Sequence, residues 1–243
     1  MSDYHKSNVS YRVGRRNMIG TLYHGEAGLT APAVLIFPEG PGPGANVHER
    51  AARLATAGYV AFISDLHGDA RILTDMAEIM GHLAALRHDP EEVRLRACAS
   101  LEALVAQRDG NSTGIAAIGF CFGGTMALEL GRMKGKLDAI VGFHCGLRAL
   151  GAAATDPMPG PVLTLIGADD PSVTAEDRMA FEQEMRNSRS DWSMHLYGGV
   201  RHSFTDRLAE RLGRPEFARY DLQADNDSWQ AMLALFARSI KAN

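Results

Sequence analysis

Short apolar runs and longer helix-patterned stretches alternate along almost the whole chain. An apolar run bounded by turn residues is typical of a buried strand, whereas apolar residues spaced three or four positions apart are typical of a helix packed on a core. The predicted strands are Tyr11–Val13, Met18–Tyr23, Ala33–Pro38, Val60–Ser64, Ile115–Gly119, Ala139–Phe143, Pro161–Ile166 and Ser193–Tyr197. The predicted helices are Val47–Ala57, Ile72–Gln107, Gly124–Lys134, Ala175–Ser188 and Asp227–Lys241.

This order of elements predicts an α/β protein with a mostly parallel sheet of about eight strands and helices on both faces. The first two strands are close in sequence and are therefore expected to pair antiparallel. The longest helical stretch is expected to break at Asp89-Pro90, because proline restricts the residue before it. No repeat or low-complexity linker divides the 243 residues, so a single domain covering residues 1–243 is predicted.

Charge and cysteine content narrow the classes of partner. The formal net charge is −4 and no dense run of Lys or Arg occurs, which argues against nucleic acid. The first residues lack the apolar core of a signal peptide, and no later stretch approaches the length of a membrane span. Three cysteines do not favour a disulfide framework, and they are typical of a reducing compartment. A cytoplasmic protein without a membrane partner is therefore expected.

The segment Gly119-Phe120-Cys121-Phe122-Gly123 lies where a predicted strand turns into a predicted helix. Glycines two positions before and after a nucleophile permit the sharp turn of a nucleophile elbow, because side chains there would collide. Such a turn raises the sulfur of Cys121 above the sheet edge and points the N–H of Phe122 at a developing oxyanion. The pattern predicts acyl-transfer chemistry at Cys121; the alternative is a buried structural cysteine.

Three further candidates follow predicted strands, which is where ligands bind in a parallel sheet. Glu39 follows the third strand, Asp170 the seventh and His202 the eighth. The order nucleophile, acid, histidine is that of an α/β-hydrolase triad. Asp170 also fits ordinary turn chemistry before proline, and Asp169 is its neighbour, so the position of the acid stays open by one residue. The alternative for His202 is a loop histidine with a structural role.

These residues resemble the motifs of the dienelactone hydrolases, small enzymes of the α/β-hydrolase fold with a minimal lid or none. The likeness extends from Tyr11 to about Phe236, and its motifs are Gly119-Phe120-Cys121-Phe122-Gly123-Gly124, Gly167-x-x-Asp170-Pro171-x-Val173, His202-Ser203-Phe204 and Glu39. The resemblance implies a triad of Cys121, His202 and Asp170, a covalent cysteinyl intermediate, and no metal or other cofactor. It favours Asp170 over Asp169, because the family places the acid three residues after the glycine.

The resemblance also implies a role for Glu39. In the family, the matching glutamate contacts the resting cysteine and is displaced when substrate arrives. A carboxylate at this place keeps the thiol protonated by like-charge repulsion and protects it from oxidation. The alternative is a solvated or substrate-contacting carboxylate. The N–H of Gly40 is expected to be the second oxyanion donor beside that of Phe122.

The expected substrate departs from that of the family. The family arginine that binds a substrate carboxylate belongs four residues after the histidine, and Asp206 stands there. A carboxylate cannot replace a guanidinium without reversing the preference for anions, so a neutral or hydrophobic ester or lactone is expected. Arg71 and Arg207 are candidates to replace the missing arginine. The residues assigned to the substrate pocket are Phe37, Phe120, His144, Phe204, Arg207 and Arg71.

Each of these phenylalanines fits a place in the core as well as one in a pocket. A neutral phosphotriester is a second expected substrate, because its phosphoryl centre also develops negative oxygen charge under attack. The family that the chain resembles includes metal-free members that cleave such esters. A small-molecule substrate and a monomer or homodimer are expected. Two other functions stay open, namely a non-catalytic binding or redox-sensing protein and a thioesterase or acyltransferase.

Overall fold

The computed structural model describes residues 4–108 and 114–240. Within them, the strands are β1 (His5–Val13), β2 (Arg16–His24), β3 (Ala33–Phe37), β4 (Val60–Ile63), β5 (Ile115–Phe120), β6 (Ala139–Phe143), β7 (Val162–Gly167) and β8 (Trp192–Tyr197). The helices are α1 (Ala45–Thr56), α2 (Met76–His88), α3 (Pro90–Gln107), α4 (Phe122–Arg132), α5 (Ala175–Asn187) and α6 (Leu222–Ser239).

All eight strands belong to one sheet in the order β1-β2-β4-β3-β5-β6-β7-β8. The pairs β1–β2 and β2–β4 are antiparallel, whereas every pair from β4 through β8 is parallel. In the centre of the sheet, Leu35 of β3 lies opposite Phe62 of β4 and Ala117 of β5. The predicted α/β class and the mostly parallel sheet are confirmed.

The core has two halves, one on each face of the sheet, because successive strand residues point to opposite sides. Leu35 and Ala117 face the half that is covered by α2, α3, α4 and α5. Their neighbours Ile36 and Ile118 face the half that is covered by α1 and α6. The central strands are therefore apolar at every position, which is typical of parallel strands buried on both faces.

The bounds of some elements differ from the prediction, because polar residues pair with a neighbouring strand or cap the start of a helix. β1 begins at His5 rather than Tyr11, because it pairs with β2 along its whole length although its residues are mostly exposed. The predicted break at Asp89-Pro90 is confirmed, and the Asp89 side chain caps α3 by accepting from the N–H of Glu92.

Two other helix starts follow the same rule. α2 begins at Met76 instead of Ile72, because the Asp75 side chain accepts from the N–H of Glu78. α6 begins well before the predicted Asp227, because Asp221 caps it, and the predicted end at Lys241 lies outside the described residues. Across the described ranges, no helix has both the length and the apolar character needed to cross a membrane.

Residues 144–161, between β6 and β7, contain no helix or strand, so no helical lid is inserted there. A buried ion-pair network ties this segment to the helices below it. Arg132 of α4 binds Glu184 of α5 through two hydrogen bonds of 2.8 Å and Glu129 at 3.0 Å. Glu129 also accepts from the N–H of Leu150, and Glu184 from that of Ala154. The segment is thereby held against the sheet without regular structure of its own.

Replacing Arg132 by Ala is expected to destabilise the protein by about 3–5 kcal/mol, because the buried Glu184 loses its cation and the buried Glu129 keeps only Arg94. Urea denaturation measures the loss. The matched control is Arg186→Ala, which removes an exposed ion pair with Glu182 from the same helix layer and should cost far less. Equal losses for the two variants would show that the buried network contributes no more than a surface pair.

Candidate active site

Cys121 occupies the tight turn between β5 and α4 in a strained conformation, with φ 53° and ψ −121°. A positive φ is unfavourable for a residue with a Cβ, and such strain is concentrated at functional sites. Of the seven described non-glycine residues with positive φ, Cys121, His144 and Ser203 all lie in this region. Backbone strain is therefore clustered at the carboxyl ends of β5, β6 and β8.

Glycines make this turn possible by allowing backbones to approach closely. A Cβ on Gly119 would lie 2.1 Å from the carbonyl oxygen of Gly123, and one on Gly123 would lie 2.2 Å from that of Phe37. A Cβ on Gly124 would lie 2.4 Å from the Cβ of Cys145. The contacts are with backbone or with a fully buried side chain, so a substitution would force the strand and the helix apart. The predicted elbow geometry is present at Cys121.

The loop after β8 brings His202 to the sulfur. The Nε2 of His202 lies 3.2 Å from the Sγ of Cys121, and its Nδ1 lies 2.7 Å from the Oδ2 of Asp170. His202 and Asp170 are buried, whereas Asp169 is exposed. The N–H of His202 donates to the carbonyl of Phe217, which fixes the loop. Of the two adjacent aspartates, Asp170 is the one whose carboxylate contacts the imidazole.

The three groups shift one another's ionisation. Burial opposes ionisation of the Cys121 thiol, but the charge and hydrogen bond of His202 outweigh it and hold the pKa of Cys121 below its usual value. Burial likewise disfavours the imidazolium, yet the Cys121 and Asp170 charges raise the pKa of His202 to about 10. The pKa of Asp170 lies below its usual value, because hydrogen bonds from His202 and Ser172 outweigh burial. The arrangement favours a thiolate–imidazolium pair.

Ser172 is a member of this arrangement that sequence reasoning missed. Its hydroxyl donates to the Oδ1 of Asp170 at 2.6 Å, its N–H donates to the same oxygen at 2.8 Å, and Oγ lies 3.2 Å from the Nδ1 of His202. The signal in the sequence is a serine two residues after an aspartate. This spacing is typical of a turn in which the aspartate carboxylate accepts a hydrogen bond from the backbone N–H two residues later. Ser172 holds one carboxylate oxygen so that the other faces the imidazole.

His144 lies beneath the elbow and not in an open pocket, which corrects its assignment. It is fully buried, and the N–H of Cys121 donates to its Nδ1 at 3.2 Å. Since Nδ1 accepts, Nε2 carries the proton and donates to the Oγ1 of Thr205 at 2.9 Å. Burial and the charge of His202 put the pKa of His144 well below its usual value. His144 is thus a neutral ring that packs edge-on against His202.

The three phenylalanines assigned to the pocket also lie in the core, and this too is a correction. Phe37, Phe120 and Phe204 have no exposed surface. Phe120 stacks on Phe143 at 4.7 Å between ring centroids, and Phe204 packs against Tyr197. The reason is that both faces of a parallel sheet are covered by helices, so a residue at a strand end still points into packed structure.

The two expected oxyanion donors lie at the start of α4 and in the loop after β3. The backbone N–H of Phe122, the first residue of α4, contributes to lowering the pKa of Cys121. Gly40 is buried after β3, and a Cβ there would lie 2.8 Å from the Leu83 side chain. The Nε2 of His67 lies 2.8 Å from the carbonyl oxygen of Gly40, which anchors this loop. His67 was not singled out from the sequence, because nothing local relates it to Gly40.

Glu39 has a different partner from the expected one. Its Oε1 accepts a 2.5 Å hydrogen bond from the Nδ2 of Asn46, and no described hydrogen bond joins it to Cys121. Burial raises the pKa of Glu39 to about 7, and the bond from Asn46 opposes that rise. The sulfur is paired with His202 instead. The resting contact expected between Glu39 and Cys121 is therefore not made in this structure.

Neither candidate arginine contacts the triad in this structure, and their role as replacements for the missing guanidinium stays a prediction. Arg71 is 52% exposed and pairs with Glu78. Arg207 is 58% exposed and lies over the ring of Tyr220. Both guanidinium groups are directed to other partners at the surface. Asp206, in contrast, is partly buried, and its negative charge contributes to the raised pKa of Glu39.

Within the part of the chain that the structure describes, no group of three or more His, Cys, Asp or Glu side chains is arranged to hold a metal ion.

Comparison with known proteins agrees with this geometry. Residues 19–240 match the model of the dienelactone hydrolase family. A solved structure of a dienelactone hydrolase-like promiscuous phosphotriesterase from metagenomic libraries is 38% identical, with a TM-score of 0.93 over 98% of this chain and 100% of that one. A Yersinia pestis protein named as a carboxymethylenebutenolidase is 25% identical over 85% of this chain and 78% of its own. The dienelactone hydrolase from Anabaena variabilis, 16% identical with a TM-score of 0.67 over 98% of this chain and 100% of its own, shares the fold. The chain belongs to the dienelactone hydrolase family.

Proposed function

We propose that this enzyme hydrolyses small carboxylic esters and lactones through a covalent intermediate on Cys121. The observation that carries the proposal is the position of one imidazole between two partners. His202 lies 3.2 Å from the Cys121 sulfur and 2.7 Å from the Asp170 carboxylate, at the end of a strained elbow. A nucleophile, a base within reach of it and a group that orients the base are the parts that covalent acyl transfer requires.

The reaction begins with attack of the Cys121 thiolate on the ester carbonyl carbon. The carbonyl π electrons move to oxygen, and the N–H groups of Phe122 and Gly40 stabilise the resulting oxyanion. Collapse of this intermediate breaks the bond to the alkoxy oxygen, which takes the proton held by His202 and leaves as the alcohol. A thioester on Cys121 remains, and a lactone stays attached by its acyl end.

Water completes the cycle in the second half of the reaction. Neutral His202 takes a proton from water, and the hydroxide attacks the thioester carbonyl. Collapse of the second tetrahedral intermediate expels the Cys121 thiolate, releases the carboxylic acid and restores the thiolate–imidazolium pair. Asp170 keeps its negative charge throughout, orients the Nδ1–H of His202 and stabilises each imidazolium. Ser172 holds that carboxylate in place.

The charges near the sulfur favour neutral substrates. Burial raises the pKa of Glu39, and the negative charge of Asp206 adds to that rise by repulsion. Arg71 and Arg207, the candidate guanidinium groups, are directed elsewhere. A substrate carboxylate would therefore meet repulsion without a compensating cation. Uncharged esters and lactones avoid that cost.

Cleavage of neutral phosphotriesters is a second activity that a specific observation favours. The 38% identical structure with the same fold over 98% of this chain is described as a promiscuous phosphotriesterase. The Cys121 thiolate would attack phosphorus, expel the aryloxide with the proton of His202, and leave a phosphoryl group on sulfur that water then removes. The same N–H donors stabilise the negative phosphoryl oxygen.

Replacing Cys121 by Ala is expected to lower kcat for an activated aryl ester by about 10⁴–10⁶-fold, because the atom that forms the thioester is lost. Release of the aryl alcohol gives the rate, and mass spectrometry of quenched wild-type enzyme detects the acyl group on Cys121. Cys98→Ala is the matched control, since Cys98 lies on α3 away from the triad. A Cys121→Ala variant with the kcat of the wild type would refute the proposal.

The same Cys121→Ala variant tests whether both chemistries use one sulfur. Loss of aryloxide release from a dialkyl aryl phosphate is expected to match the loss of esterase activity, on the order of 10⁴-fold or more. Phosphotriester cleavage that survives while ester cleavage is lost would assign the phosphorus chemistry to a different group.

Replacing Asp206 by Arg is expected to raise the ratio of kcat/KM for an anionic ester over a neutral ester by about tenfold. The reason is that a guanidinium attracts the carboxylate that Asp206 repels. Matched pairs of aryl esters with and without a terminal carboxylate provide the measurement. Asp156→Arg is the control, because it makes the same change in net charge at an exposed site paired with Lys134. An unchanged ratio in the Asp206 variant would show that this residue does not select against anions.

A further inference from the structure

We propose that Asn46 is the positioning residue that holds Glu39 away from the Cys121 sulfur, so that the thiolate stays paired with His202 before substrate binds. The inference rests on the proposed function for the role of Cys121, but its test does not require turnover. The direct observation is that Glu39 and Cys121 have different hydrogen-bond partners, and that no hydrogen bond joins them in the described residues. Glu39 is bound by Asn46 at 2.5 Å, while the sulfur lies 3.2 Å from His202.

The orientation of the Asn46 amide follows from its second partner. The Nε–H of Arg50 donates to the Oδ1 of Asn46 at 3.3 Å. A guanidinium has only donors, so it can face only the oxygen of the amide. The amide nitrogen must then point the other way, toward the Oε1 of Glu39. Arg50 thereby makes Asn46 a donor to the carboxylate, which a freely rotating asparagine would not be.

Arg50 is itself fixed by buried partners. It lies one helical turn after Asn46 on α1, and its side chain is 1% exposed. Its Nη2 lies 2.9 Å from the Oδ1 of Asp225 on α6 and donates to the carbonyl of Thr205. Thr205 in turn contacts His144 beneath the elbow. The position of Glu39 therefore depends on the same packed structure that positions Cys121.

Release of Glu39 would change the proton position between Cys121 and His202. The Glu39 charge already acts to raise the pKa of Cys121, although its described hydrogen bond is to Asn46. The groups that act on Glu39 are Asn46, Asp206, Arg50 and Cys121. A carboxylate at the sulfur favours the neutral thiol and imidazole over the thiolate and imidazolium.

The thiolate–imidazolium form and the neutral thiol–imidazole form of the Cys121–His202 pair hold the same number of protons. A shift from one form to the other is therefore observed at constant pH. It requires Glu39 to be ionised and the pair to keep its shared proton. Both conditions hold at about pH 8.5, which lies above the Glu39 pKa of about 7 and below the His202 pKa of about 10. Loss of the Asn46 hydrogen bond is therefore expected to lower the thiolate fraction in that range.

The test is Asn46→Ala in the full chain, without substrate. At about pH 8.5, the ultraviolet absorbance of the thiolate and the rate of alkylation of Cys121 by iodoacetamide are expected to fall, the rate by about tenfold for a cost of about 1.4 kcal/mol. Mass spectrometry of the Cys121 peptide separates this rate from reaction at the other cysteines. An alkylation rate equal to that of the wild type would overturn the proposal.

A double-mutant cycle separates positioning from a general structural effect. In a Glu39→Gln background, Asn46→Ala is expected to leave the alkylation rate unchanged, because no carboxylate remains to approach the sulfur. The same loss in both backgrounds would overturn the proposal. Should Asn46→Ala fail to fold, Asn46→Leu removes the donor to Glu39 without adding a charge near the sulfur, and it is put through the same cycle.

Asn17→Ala is the matched control, because Asn17 donates a similar bond to the carboxylate of Asp69, away from the elbow. It is expected to leave alkylation of Cys121 unchanged, and an equal loss in this control would overturn the assignment of the effect to Asn46. Ester turnover by the wild type is measured separately. If no ester is hydrolysed, the proposed function fails, while the alkylation rates still decide the role of Asn46.

Discussion

The close backbone approach at Gly119 and Gly123 is the constraint on which the rest of the site depends. Side chains at these two positions would lie 2.1 and 2.2 Å from carbonyl oxygens, so only glycine lets α4 start directly on the end of β5. That proximity forces Cys121 into a positive φ and turns its sulfur toward His202. The strained conformation of Cys121 persists because strands and helices pack around the turn on both sides. Their packing outweighs the preference of a non-glycine residue for a negative φ.

Once the sulfur is fixed, electrostatics decides its state. Burial alone would keep the Cys121 thiol and the His202 imidazole neutral, and their mutual attraction reverses both tendencies. Asp170 and Ser172 hold one side of the imidazole, and neutral His144 supports the elbow without adding a competing charge. These shifts favour a thiolate–imidazolium pair with defined neighbours. This is consistent with membership in a hydrolase family whose fold places its reactive groups at the ends of parallel strands.

The surroundings of Cys121 and His202 differ from what the resemblance to the family implies. Asp206 stands where the resemblance implies an arginine, and the described hydrogen bond of Glu39 is to Asn46 and not to the cysteine. Arg50, a fully buried cation, faces Asn46, Asp225 and the carbonyl of Thr205, next to Asp206. The orientation of the Asn46 amide, and with it the hydrogen bond to Glu39, therefore depends on a single buried guanidinium.

The sequence by itself determined the features that local chain chemistry governs. Apolar runs and helical periodicity predicted the sheet, proline marked the break after Asp89, and Gly-x-Cys-x-Gly predicted the elbow, because each depends on residues adjacent in the chain. Only the tertiary structure decided that Asp170 faces His202 and that Asn46 binds Glu39. It also placed Phe37, Phe120 and Phe204 in the core. Those outcomes depend on which side chains from distant segments meet when strands and helices pack, and no local pattern encodes such contacts.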